Sequence, residues 1–139
     1  MSEIFGFDAF SPSEIAAKVK TLGVAKARLP LLSMLMLSVL AGAFIGLGAL
    51  YFVIVKSDAS LGFAARQALG GLAFSLGLIL VVVAGAELFT GNNLLAMAWA
   101  GGKISTRDLM RNWAIVCGGN FSSAQPAWRC WFFSPAMPR

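Results

Sequence analysis

The stretch QALGGLAFSLGLILVVVAGAELFTGNNLLAMAWAGG, residues 67 to 102, decides how this chain folds. Residues 67 to 86 carry no charge, Glu87 interrupts, and residues 88 to 102 are again uncharged. About 20 helical residues already cross a hydrocarbon core of about 30 Å. The stretch therefore predicts a membrane-crossing segment that is long and broken, with a polar bend over residues 85 to 93.

A second block points the same way: residues 29 to 55, LPLLSMLMLSVLAGAFIGLGALYFVIV, hold no charge at all. The block is much longer than the apolar core of a signal peptide, and the residues before it are long and mixed in charge. A transmembrane helix is the better reading. Over the whole chain 58% of residues are hydrophobic and 12% charged, against roughly 25% charged in soluble domains. The net charge of +5 does not form the basic stripe with interleaved aromatics that nucleic acid requires, so no nucleic-acid partner is expected. Cys117 and Cys130 form no CxxC pair and there is no histidine. Metal sites, cofactors and histidine-based catalysis are accordingly not expected, and nothing supports an enzyme.

The basic residues flank the apolar blocks. Lys18, Lys20, Lys26 and Arg28 precede the first, Lys56 and Arg66 lie between them, and Lys103, Arg107 and Arg111 follow the second. This asymmetry places the N-terminus in the cytoplasm of a bacterial-type inner membrane. The expected organisation is a cytoplasmic segment 1–28, a first span 29–55, a periplasmic loop 56–66, the broken segment 67–102, a cytoplasmic loop 103–111 and the start of a third span at 112–121. Within the first segment, Ser11-Pro12-Ser13-Glu14 has capping-box spacing and starts a helix at Pro12. Ile15, Val19 and Leu22 recur on one face until Gly23; this helix reads either as a lid at a pore mouth or as an interfacial anchor. In the first span, Gly42 and Gly46 form a GxxxG that would let another helix approach closely.

A carboxylate near a helix centre costs about 2.5 to 3.5 kcal/mol on insertion scales, so Glu87 needs a partner, and Thr90, Asn92 and Asn93 are local candidates. Gly85 and Gly91 bracket the bend. Non-helical backbone at membrane depth persists only when buried in protein or lining a water-filled path, and a new half-helix start offers free N–H groups suited to a small anion. Glu87, Thr90, Gly91, Asn92 and Asn93 are the expected anion path. The alternative is an ordinary aqueous loop at 87–93.

GAELFTGN at 85–92, preceded by FSLGLILVVVA at 74–84, resembles the signature of the formate/nitrite transporter family. The likeness extends through KISTRDLMRNW at 103–113 and GNF at 119–121, and back through AGAFIGLG at 41–48. The resemblance implies an all-α integral membrane protein with an aquaporin-like inverted-repeat channel fold, of which this chain holds only the first half. It further implies a homopentamer with one pore per protomer and a small monovalent anion as cargo, formate or nitrite, with or without a proton. Phe74, Leu78, Leu88 and Phe89 resemble the apolar residues that narrow the family's pore, and Thr90 the hydroxyl beside its cytoplasmic constriction; plain helix packing is the alternative for each. A rival reading from another class is a small assembly subunit whose Glu87 pairs with a basic residue of a larger complex.

Residues 122–139, SSAQPAWRCWFFSPAMPR, carry Pro126, Pro135 and Pro138, and no helix is expected to run through them. Read one nucleotide upstream, Trp128 to Ser134 become apolar codons that would continue the third span. A frameshifted, truncated and inactive form of a longer protein is therefore expected, with a natural short tail as the alternative. Sequencing across codons 115 to 140 checks this. A one-base shift should open a frame encoding three further spans, and its absence sinks the idea.

Overall fold

The computed structural model describes residues 10–133. Among them there are only helices: α1 Pro12–Ala27, α2 Leu31–Ser57, α3 Phe63–Val83, α4 Phe89–Asn92, α5 Leu95–Ala100 and α6 Thr106–Phe133. α1 opens with the capping box: Ser11 N–H donates to Glu14 Oε2 at 2.7 Å, and Glu14 N–H donates back to Ser11 Oγ at 3.4 Å. The hydrogen bonds that the Glu14 carboxylate accepts from Ser11 N–H and Ser11 Oγ–H hold it below its usual range. Pro30 stands as the N-cap of α2 and separates it from α1.

The 27 residues of α2 span about 40 Å at 1.5 Å per residue, more than the hydrocarbon core, so α2 can cross with tilt. Asp58 turns the chain into α3 by accepting from Ser60 N–H at 2.8 Å and Ser60 Oγ–H at 2.6 Å. Leu32, Met36, Leu76 and Val83 are 68%, 63%, 61% and 80% exposed. Helices apolar on faces that no protein covers fit a bilayer and not the core of a soluble domain.

Small residues set the helix spacing. A Cβ on Gly77 would come within 2.7 Å of Phe44 O, and one on Gly48 within 3.3 Å of Gly77 Cα, so α2 and α3 meet glycine on glycine. On its other side α2 meets α6: a Cβ on Gly42 would come within 2.7 Å of Asn120 Cα, and one on Gly119 within 2.8 Å of Ser38 Cβ. Gly46 is buried on the same stripe. In lipid such contacts rest on close packing, which any added side chain would prevent.

Two glycines end the halves of the broken segment by one device. After α3, Gly85 at φ +62° lets its N–H reach Val82 O at 3.2 Å and Ala86 N–H reach Val81 O at 3.0 Å. After α5, Gly102 at φ +67° lets its N–H reach Trp99 O and Lys103 N–H reach Ala98 O, both at 2.9 Å. This is the Schellman closure, and it favours glycine because L side chains crowd the left-handed conformation.

Several boundaries differ from the sequence reading. α1 continues past Gly23 to Ala27, because Gly23 is a packing position: a Cβ there would come within 3.0 Å of Ala98 Cβ. The packed face of α1 holds Gly23 and Ala27, while Ile15 and Leu22 are 50% and 59% exposed. α3 begins at Phe63, so Arg66 lies inside it. α6 begins at Thr106, where Ser105 and Asp108 cap each other reciprocally. Gly91 lies within α4 without a positive φ, so the break itself falls between Ala84 and Leu88.

The largest correction concerns the tail, for α6 runs through Pro126 to Phe133. A proline removes one N–H and strands one carbonyl, here that of Ser122, while its fixed φ is helical. Ser123 Oγ–H donates to Gly119 O at 2.8 Å and Ser122 Oγ–H to the same oxygen at 3.1 Å. Both hydroxyls thus turn back to the Gly119 carbonyl and do not replace the lost bond, so α6 carries the loss of one hydrogen bond at this point. Pro135 and Pro138 lie outside the described residues.

Replacing Gly85 by alanine should cost about 1 to 2 kcal/mol of stability through its left-handed backbone. Gly91→Ala should be neutral or slightly stabilising, since nothing stands within 4 Å of its Cβ position. Thermal melting of the two variants in detergent checks the contrast, and equal losses would contradict it.

A braced helix break as the candidate functional site

The break carries Glu87, only 3% exposed. Its Oε1 lies 3.0 Å from Lys26 Nζ, and its Oε2 accepts from Asn92 Nδ2 at 2.7 Å. Lys26 Nζ also donates to Asn92 Oδ1 at 3.2 Å, closing a triangle of ammonium, carboxylate and amide. Asn92 Nδ2 reaches Asn112 Oδ1 at 2.9 Å, and both asparagines are fully buried. α1 delivers Lys26 because Ala27 packs into an apolar cluster with Leu95 and Leu109.

A second brace holds the backbone. Asn120 Nδ2 donates to Glu87 O at 3.0 Å and to Ser38 O at 2.7 Å, while its Oδ1 accepts from Phe89 N–H at 2.9 Å. Glu87 N–H donates to Leu37 O at 3.2 Å, and Trp113 Nε1–H to Asn92 O at 3.0 Å. Of the backbone groups that a helix break exposes, α2 and α6 thus meet the Glu87 N–H and carbonyl, the Phe89 N–H and the Asn92 carbonyl. Thr90 and Gly91 N–H find no acceptor among the described residues, and both residues are exposed.

Of the residues marked in the sequence, Glu87 and Asn92 meet directly, whereas Thr90 and Asn93 are exposed and do not touch the carboxylate. Leu88 is half-buried against the cluster of Ala41, Val81 and Ala86. Phe89 packs edge-on against Trp113 with ring centroids 6.3 Å apart. Phe74 packs against Phe52 at 6.4 Å, and Leu78 stands exposed on α3. Leu88 and Phe89 thus pack beside the break, and Phe74 and Leu78 lie along α3. Lys26, Asn112, Trp113 and Asn120 were missed as site residues. Lys26 reads in sequence as a topology-setting cation; the signal available for Asn112 and Asn120 is an amide inside an apolar helix.

Removing one member of a buried ion pair leaves an uncompensated charge and costs about 3 to 5 kcal/mol. Lys26→Met should approach that loss, discounted because the Lys26 side chain is 35% exposed. Lys26→Met with Glu87→Leu should recover part of it, and a melting-temperature cycle reads the coupling. For Asn120→Asp, the acceptor to Phe89 N–H remains while both donors go. Hydrogen exchange should then stay slow at Phe89, and Asn120→Leu should make it fast.

Compared with known proteins, residues 13–134 match the family model described as formate/nitrite transporter. The chain is 36% identical to the formate channel FocA of Escherichia coli over 119 residues, 85% of this chain and 42% of that protein. It is 40% identical to the formate channel BtFdhC of Bacillus thuringiensis over 115 residues, 81% and 44% of the two chains. It is 48% identical to the uncharacterized transporter YrhG of Bacillus subtilis over 107 residues, 76% and 40%. The chain spans about two-fifths of the length of these curated relatives.

Proposed function

The chain belongs to the formate/nitrite transporter family, and from that premise we propose that its braced break lines one side of a path for a small monovalent anion, formate first and nitrite second. The observation that carries this reading is a helix broken inside an apolar segment, with Glu87 buried and paired while Thr90 and Gly91 stay exposed with free N–H groups. Such backbone suits the wall of a path, and partial positive charge at a half-helix start favours an anion. Lys26 adds a cation that remains partly exposed.

Leu88 and Phe89 sit beside this polar edge. In the proposed pore they join Phe74 and Leu78 of α3 in an apolar constriction, completed by a second, inverted half in an aquaporin-like fold and repeated in a homopentamer. An apolar constriction excludes hydrated ions by dewetting, whereas a weak acid that picks up a proton loses the charge that makes crossing costly. The proposed orientation has the N-terminus in the cytoplasm of an inner membrane. The assembly-subunit alternative loses its motive, since Glu87 is neutralised by the chain's own Lys26.

Formate uptake into proteoliposomes tests the assignment in the proposed pentamer. Flux should fall at least tenfold for Thr90→Val and lose anion selectivity for Phe89→Ala, while Lys18→Gln leaves both unchanged. Absence of formate flux in the unsubstituted pentamer would overturn it.

A further inference from the structure

Away from the break, Lys20, Arg28 and Lys103 converge on a cleft of about 650 Å³. It lies along the C-terminal half of α1, with Lys103 reaching it from the turn between α5 and α6. Ala17, Thr21, Val24 and Arg28 follow one another along one face of α1, beside the face that carries Gly23 and Ala27 inward. The Lys20 stem crosses toward α5, its Cε 3.8 Å from where a Gly101 Cβ would stand.

The three cations are exposed, and the only ion pair among the described residues is Lys26 with Glu87. No carboxylate lines the cleft: Glu87 is buried and paired with Lys26, and Glu14 and Asp108 cap the starts of their own helices outside the lining. The C-terminal carbonyls of α1 oppose an anion with about half a charge, which three formal cations outweigh. The cleft lacks the buried donors of a compact inorganic-anion site: Thr21 Oγ–H is spent on Ala17 O at 3.0 Å, and much of the lining is the apolar Ala17, Val24 and Ala25. A cationic rim over an apolar floor at the bilayer surface fits a ligand whose phosphate is joined to hydrocarbon.

We propose that this cleft seats the phosphate headgroup of an anionic phospholipid, with the first methylenes of its chains over Ala17, Val24 and Ala25. The seated lipid ties α1 to the α5–α6 loop, and so steadies the helix that delivers Lys26 to the break.

Native mass spectrometry of the full chain in neutral detergent tests this with phosphatidylglycerol and phosphatidylcholine of identical tails. Phosphatidylglycerol should bind at least tenfold tighter, and Arg28→Gln with Lys103→Gln should abolish the preference. Lys18→Gln with Arg107→Gln removes as much charge from the same membrane face and should keep it. Circular dichroism confirms equal helicity, and each single substitution is compared in the same way, so a misfolded pair does not decide the outcome. Equal loss in both pairs would reduce the effect to general surface charge and overturn the proposal. So would the absence of any phosphatidylglycerol preference, or displacement of the lipid by millimolar inorganic phosphate, which would make the ligand a soluble anion.

Discussion

A carboxylate inside an apolar helix must find a cation and hydrogen-bond donors, and the way Glu87 finds them organises this chain. Its cation comes from Lys26, on a helix that precedes the first span, and its donor from Asn92, beyond the break. Satisfying one buried charge therefore fixes α1 under the membrane segment and folds α4 back toward α3. Desolvation makes an unpaired alternative expensive, so the triangle is as much a constraint on topology as a local contact.

The triangle works only because the backbone around it is brought within reach. Asn120 bridges Ser38 of α2, Glu87 in the break and Phe89 at the start of α4. That bridge requires α6 to lie against α2 at a distance that only Gly42 and Gly119 permit. Small residues and amides are thus one mechanism: the glycines set the spacing, and the amide spans what the spacing leaves.

The parts of this arrangement legible in the sequence were those with local signatures. Uncharged runs marked α2 and α3, Ser11 and Glu14 marked the start of α1, and an acidic residue between glycines marked the break. What could not be read was long-range. Nothing near Lys26 points to Glu87, so it looked like one more flanking cation. Ile15 and Leu22 marked the apolar face of α1, which stays exposed, but no local signal marked Gly23 and Ala27 as the face that packs inward. Pro126 looked like a stop because proline commonly ends a helix, yet it removes a single N–H bond while its fixed φ stays helical, and α6 continues past it.

The bracing is also one-sided. Lys26, Asn112, Trp113 and Asn120 arrive from α1 and α6, and they meet the Glu87 carboxylate, the Asn92 side-chain amide, two carbonyls of the break and the Phe89 N–H. Thr90, Gly91 and Asn93 stay exposed. A break held rigidly from one direction keeps its open N–H groups at fixed positions, so polar backbone can meet a passing solute without the reorganisation that a free loop would undergo. The same rigidity explains why the polar residues divide as they do: those that hold the break are buried and mutually bonded, and those that stay exposed are short, which keeps the open edge accessible.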